Sequence, residues 1–174
     1  MELDCGFQTG NHWFRYRAGA IIIEDGYVLF ATNSLVDYYY SIGGGVHMNE
    51  KAEDAVRREV YEETGVHYEI DRLAVINEDF FEGKDGKVKG LQCHEISFYY
   101  LMKPRGTRKL HSDSYTLGVK EEMQWIAIED LWKYRTYPSF LQEYLQMNPK
   151  EIIHIVTDER EQNSLGHDLS HLRI

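Results

Sequence analysis

Runs of apolar residues mark out the elements of this chain before any motif does. Ala18-Gly-Ala-Ile-Ile-Ile23 and Tyr27-Val-Leu-Phe30 flank Glu24-Asp-Gly26, and an Asp-Gly pair between two apolar runs predicts a hairpin. Tyr38-Tyr-Tyr-Ser-Ile42 leads into Gly43-Gly-Gly45, where the missing Cβ atoms permit backbone angles and close approaches that other residues forbid. Residues 51–64 are good helix formers without Gly or Pro, and Gly65 stands where a left-handed cap belongs, so the pattern predicts a helix there. Residues 72–81 and 95–102 read as strands around a turn-rich tip at 83–87, and 124–128 as a further short strand. Residues 129–134 and 138–147 read as helices and 152–156 as a late strand. Hairpins mixed with helices predict one α+β domain over 1–157, its sheet covered by helices on its faces, with a polar tail at 158–174.

The chain has 174 residues, 43% of them apolar, so a packed core is affordable and disorder of the bulk is excluded. Its 19 Lys+Arg against 29 Asp+Glu leave a formal charge of −10. That balance argues against nucleic acid or an anionic membrane as the main partner, since phosphate backbones and headgroups need a basic stripe. The basic cluster at 103–109 reads as a solvated loop. The longest apolar stretch, 18–23, is far short of the roughly 20 residues that span a bilayer, and the first residues lack a basic-then-apolar leader pattern. The expectation is a soluble, cytoplasmic protein, with Cys5 and Cys93 as reduced thiols.

On a helical wheel of about 100° per residue, Ala52, Ala55 and Val56 define an apolar stripe. Its continuation toward the C-terminus falls on Glu59 and Glu63, with Glu62 flanking. These three carboxylates are neighbours at spacings of three and four, so they repel one another. They also crowd the negative end of the helix dipole, where anions are disfavoured. Such a breach of local consistency marks a functional site more often than an accident. Clustered oxygen ligands without Cys or His suit a hard divalent cation, Mg²⁺ or Mn²⁺. The competing reading is a solvated acidic face eased by Lys51, Arg57 and Arg58; the glycine loop upstream favours the site, because it lets backbone approach a phosphate or metal beside the carboxylates.

Gly44-x5-Glu50-x7-Arg58-Glu59-Val60-Tyr61-Glu62-Glu63-Thr64-Gly65-Val66 resembles the Nudix box at every defined position. The flanking order, a hairpin before and strands then helices after, is similar to the Nudix fold, an α/β/α sandwich around a mixed sheet. The resemblance implies hydrolysis of a nucleoside diphosphate linked to another moiety, such as a nucleoside triphosphate, ADP-ribose or a nucleotide sugar, by metal-activated water attack on phosphorus. It also implies Glu59, Glu62 and Glu63 as metal ligands with the Gly44 carbonyl nearby, catalytic roles for Glu59 and Glu62, and Arg58 pairing with a box glutamate. Glu50 would support the loop or an outer metal shell, and Gly65 would close the box.

Two positions depart from the common pattern: Ile42 stands where a proline often precedes the glycines, and Asn49 replaces a glycine, although Asn tolerates the left-handed conformation. Many relatives add a general base from outside the box. Glu121 and Glu122 are the first candidates here and Glu95 the third, against readings as solvent-facing loop or strand charges. For substrate, Gly43, Gly44 and Gly45 would approach the phosphates, and among Tyr38, Tyr39, Tyr40, Phe80 and Phe81 the expected stacking residues are Tyr40 and Phe81. Residues that mark particular substrates in relatives are absent downstream of the box. The expected partner is a small-molecule nucleotide, with a homodimer in keeping with relatives. The rival from another class is a non-catalytic Nudix-like module that binds a nucleotide or a protein and regulates something.

Overall fold

The computed structural model describes residues 3–84, 86–160 and 172–173. The strands are β1 (Gly6–Thr9), β2 (His12–Ile21), β3 (Ile23–Glu24), β4 (Tyr27–Thr32), β5 (Tyr39–Tyr40), β6 (Gly43–Gly45), β7 (Ile70–Glu82), β8 (Gln92–Met102), β9 (Tyr115–Thr116), β10 (Val119–Lys120), β11 (Glu122–Ala127), β12 (Thr136–Tyr137), β13 (Ile153–Asp158) and β14 (Leu172–Arg173). The α-helices are α1 (Ala52–Thr64) and α2 (Phe140–Met147). The larger sheet runs β1-β2-β8-β7-β13-β14, with β6 beside the second half of β2; the smaller runs β11-β4-β5-β12, with β3 on β4. Parallel pairs β2–β8 and β7–β13 alternate with the antiparallel β7–β8 pair, so the larger sheet is mixed.

Side-chain alternation along β2 explains why the sheet has a helix on each face. Tyr16, Ala18 and Ala20 join Ala52, Ala55, Val56 and Val60 of α1 in one core. Ile21 turns the other way and joins Leu141, Tyr144 and Leu145 of α2 in a second. The smaller sheet divides likewise, Leu29 and Ala31 entering the first core, Val28 and Phe30 the second. The result is an α/β/α sandwich around a mixed sheet. Among the described residues no helix is long and apolar enough to cross a membrane.

The hairpin expected from residues 18–30 is shorter than the pattern implied. Only Ile23 and Glu24 pair back on Val28 and Tyr27. Residues 18–21 instead lie inside the larger sheet, parallel to β8, because both faces of that stretch are buried and a central position satisfies both. The helix expected at 129–134 is a 3-10 segment, Ile128–Lys133. In the expected polar tail, Asp158 closes β13 and Leu172–Arg173 pair antiparallel with His154 and Ile155. The remainder of that expected polar tail, with its histidines His167 and His171, lies outside the described residues.

Candidate active site

The buried stripe of α1 continues through Val60 and Thr64, both sealed from solvent. Glu59 and Glu63 therefore flank the core rather than replace it, because the 3.6-residue repeat carries the stripe from Val56 to Val60 and then to Thr64. They are half-buried against β6, whereas the Glu62 side chain is 57% exposed. Gly65 closes the helix with φ 69°, its N–H donating to the Tyr61 carbonyl. Asn49 has φ 67° and holds the turn that glycine would otherwise occupy.

Arg58 ties the box together. Its Nε donates to Glu50 Oε1 and its Nη2 to Glu50 Oε2, both at 2.9 Å, the two-pronged geometry that a planar guanidinium supplies and an ammonium does not. Nη2 also donates to the Gly45 carbonyl at 3.0 Å and Nη1 to Glu59 at 2.6 Å. Glu62 sits at 3.4 Å from Nη1. Glu50 accepts the backbone N–H of His47 as well, so one ion pair fastens loop to helix. Arg58 and His47 hold Glu50 below the usual carboxylate range; hydrogen bonding from Arg58 is the largest cause.

Glu63 occupies the innermost position. The Gly43 N–H donates to its Oε1 at 2.9 Å, while Oε2 is buried and has no hydrogen-bond partner among the described residues. Burial pushes this carboxyl up to about 8; the Gly43 bond and Arg17 pull it down, and the Glu121 and Glu59 charges push it further up. Glu59 is also raised, first by burial, against the pull of Arg58. Gly43 has φ 131°, and a Cβ there would run into the Ala18 carbonyl; a Cβ on Gly44 would overlap the Glu59 carboxylate. Both glycines are thus required by the close approach of β6 to β2 on one side and to α1 on the other.

Sequence reasoning missed Arg17. It is buried on β2, donates to the Ser41 and Gly43 carbonyls and to the Tyr99 hydroxyl at 2.9–3.0 Å, and so props the glycine strand from beneath. Burial works against its charge, but Tyr99, Glu95, Glu63 and Glu59 outweigh that and raise its pKa. An arginine at the head of an apolar run was the available signal.

The residues expected outside the box separate clearly. Glu121 is buried, 6% exposed, and accepts hydrogen bonds from Tyr40, Ser114 and Thr116. Glu122, the next residue and the first of β11, faces solvent. Glu95 is buried rather than outward-facing; burial pushes it up, but Arg15 and Arg17 prevail and hold it below its ordinary value, with the Arg15 Nε at 2.8 Å. The Tyr40 ring packs against the first core and its hydroxyl is taken by Glu121 and Asn33, so this tyrosine is not an open stacking platform. Phe81 lies opposite Cys93 at the far end of the β7–β8 pair, in a part of the sheet remote from the Gly43–Gly45 strand.

A divalent cation requires hard oxygen donors. Among the described residues no three His, Cys, Asp or Glu side chains converge at ligand spacing, and the Glu62 side chain is largely exposed. The donor set nevertheless fits such an ion: the unpartnered Glu63 Oε2 is a buried acceptor that the fold leaves unanswered, beside Glu59 and the Gly44 backbone.

The loop-helix-loop arrangement and its glutamates define a class. A family model described as NUDIX domain matches residues 13–147, and the chain belongs to that family of hydrolases. Among curated proteins it is 31% identical over 124 residues to diphosphoinositol polyphosphate phosphohydrolase 2 of Rattus norvegicus, and 28% identical over 124 residues to diphosphoinositol polyphosphate phosphohydrolase 3-alpha of Mus musculus. Each match covers 69% of this chain, and 62% and 68% of those relatives respectively. The chain thus spans less than two thirds of the length of the rat relative. Among solved structures, the MutT NUDIX hydrolase from Burkholderia pseudomallei aligns with a TM-score of 0.55 and 22% identity, over 74% of this chain and 95% of that one. The MutT protein from Bacillus halodurans aligns with a TM-score of 0.58 and 13% identity, over 82% and 88%. These two likenesses concern the fold.

Proposed function

We propose that the chain is a pyrophosphohydrolase, dependent on Mg²⁺ or Mn²⁺, that acts on a nucleoside diphosphate linked to another group: a nucleoside triphosphate, ADP-ribose or a nucleotide sugar. The observation that carries this reading is Glu63, a half-buried residue whose Oε2 is sealed and without a hydrogen-bond partner among the described residues, while its Oε1 accepts the N–H of a glycine strand. A buried polar oxygen costs free energy unless it is answered, and this one lies beside Glu59 and the Gly44 backbone, where a shared cation would answer it. Glu59, Glu62 and Glu63, with the Gly44 carbonyl, would hold the ion, which supplies charge neutralisation at the diphosphate and a bound water of lowered pKa.

The remaining roles belong to the chain itself. Arg58 and Glu50 lock the loop onto the helix, so the carboxylates do not reorganise when substrate arrives. Gly43 and Gly44 let the strand lie close against β2 and α1, and the backbone of Gly43, Gly44 and Gly45 would approach the phosphates. Glu121, whose charge reaches Glu63, would accept the proton of the attacking water.

A second reading takes the curated relatives' named substrate class, the diphosphoinositol polyphosphates. Such a ligand carries phosphate on most of its ring and needs many uncommitted cations. Arg58 is engaged by Glu50, Glu59 and Gly45, and Arg17 by Tyr99, Ser41 and Gly43, on a chain of net charge −10. The balance favours a nucleotide. Product release from a panel of nucleoside triphosphates, nucleotide sugars, ADP-ribose, dinucleotides and diphosphoinositol polyphosphates, with Mg²⁺, tests both readings. Turnover of one nucleotide class that falls at least a hundredfold in Glu63→Gln, a loss on the scale of about 10² or more expected for a catalytic group, is the expected result. A folded, metal-binding protein silent on the entire panel would favour the non-catalytic module.

A further inference from the structure

The three glutamates that are buried in the described residues, Glu24, Glu95 and Glu121, are held in two different ways. Glu24 accepts the backbone N–H groups of Arg105 and Gly106 at 2.6 and 2.9 Å, with the Tyr68 hydroxyl at 3.2 Å. Glu95 accepts the Arg15 guanidinium, with the Ser97 hydroxyl at 2.7 Å. Glu121 alone is held by hydroxyls only: Tyr40 at 2.5 Å and Thr116 at 2.8 Å on Oε1, and Ser114 at 2.5 Å on Oε2.

That difference has a chemical consequence. An N–H or guanidinium donor has no lone pair to offer in return, so it suits a carboxylate that stays ionised. A hydroxyl is donor and acceptor and can rotate. A carboxylate ringed by hydroxyls can therefore take up a proton, with one hydroxyl turning from donor to acceptor, and remain fully hydrogen-bonded. Glu121 Oε2 carries one such donor where Oε1 carries two, which leaves Oε2 the oxygen with room for a proton.

The chain spends structure on this ring. Thr116 lies on β9 and Ser114 immediately before it; β9 and β10 form a hairpin belonging to neither large sheet, with Thr116 paired to Val119 and Tyr115 to Lys120. Its two turn residues, Leu117 and Gly118, both have positive φ, 52° and 78°, the geometry of a tight two-residue hairpin turn. The hairpin returns the chain so that the Glu121 N–H donates to the Ser114 carbonyl at 2.9 Å. On the opposite side Tyr40 arrives from β5, its oxygen accepting Asn33 Nδ2 at 3.0 Å, while Asn33 Oδ1 accepts the Leu35 N–H.

We propose that Ser114, Thr116 and Tyr40 are positioning residues that fix Glu121 as the general base, with the Ser114 hydroxyl reversing when Glu121 Oε2 receives the proton. This rests on the hydrolase reading above. In the step, the oxygen of water forms its bond to phosphorus, its proton passes to Glu121 Oε2, and the bond from phosphorus to the bridging oxygen breaks with its electron pair leaving on the departing phosphate. Ser114 Oγ then accepts from the new O–H, while Tyr40 and Thr116 keep Oε1 and the carboxyl plane in place.

Steady-state kinetics on the substrate found in the panel, for Tyr40→Phe, Ser114→Ala, Ser114→Thr, Glu121→Gln and the double variant Glu121→Gln/Ser114→Ala, test the inference. Ser114→Ala and Tyr40→Phe should each lower kcat by about tenfold, the worth of one hydrogen bond to a charged group, with KM within about twofold. Ser114→Thr should recover most of the loss, and Ser114→Ala should cost nothing further once Glu121 is Gln, since positioning is lost with what it positions. Melting temperature and its rise with Mg²⁺ should stay near wild type, which separates this from a fold defect. Losses that remain additive in the Glu121→Gln background, or that appear in KM alone, overturn the positioning role while leaving the hydrolase reading intact. A folded wild type that turns over nothing in the panel overturns both.

Discussion

Asp79 shows how one buried carboxyl sets a pH dependence. It lies opposite Glu95 on β7, with Oδ1 sealed and lacking a hydrogen-bond partner among the described residues. Burial, then Glu95, Glu159 and Asp158, push it from 3.8 up to about 7. A group whose folded pKa is raised contributes stability below its unfolded pKa and loses it as pH climbs through the folded one. Glu63, pushed up to about 8, adds to the same trend. Stability of the metal-free protein should thus fall between about pH 4 and pH 8. Asp79→Asn removes part of that fall, so its melting temperature should exceed wild type at pH 8, by roughly 1–2 kcal/mol in stability after allowing for partial exposure, and the gap should close at pH 5. Thermal melts at the two pH values in chelator check this; a variant less stable than wild type at pH 8 would contradict it.

The short glycine strand β6 is clamped between β2 and α1. Gly43 meets Ala18 on one side, and Gly44 meets Glu59 on the other. Gly44→Ala should therefore displace the Glu59 carboxylate, the movable neighbour, rather than unfold the sheet. The expected outcome is a loss in kcat above about tenfold with a melting temperature within a few degrees of wild type, read by kinetics and calorimetry on the same sample. Equal activity in the alanine variant would mean that Glu59 has no fixed role at that position.

For the whole molecule, two cores on opposite faces of one sheet hold loop, helix and β2 in register, and the carboxylates stay crowded because the fold outweighs their repulsion. A bound cation relieves that crowding only in the folded state. Millimolar Mg²⁺ or Mn²⁺ should then raise the melting temperature through binding linkage, worth about 2.7 kcal/mol at a hundredfold excess over Kd, and Glu63→Gln should abolish most of the rise. No shift in wild type without substrate would argue against a preformed site.

How far the sequence reaches is visible in particular residues. The helix, its Gly65 cap and the Gly44 to Val66 spacing follow from local periodicity and fixed intervals along the chain, which any linear reading recovers. So does the existence of most strands. What lies beyond it is every pairing between distant segments: that residues 18–21 run beside β8 instead of folding into a hairpin, that Arg17 props Gly43, and that Ser114 and Thr116 close on Glu121. Glu121 and Glu122 are equal in the sequence and opposite in space, since Glu121, between β10 and β11, turns in to the hydroxyls of Tyr40, Ser114 and Thr116 while Glu122, opening β11, faces solvent. The sequence by itself determined the family, the helix and the identity of the box carboxylates, because these depend on spacing along one element. Only the tertiary structure decided which carboxylate is sealed and open-handed and which is ringed by hydroxyls, because burial and hydrogen-bond partners are set by segments that meet only when the chain has folded.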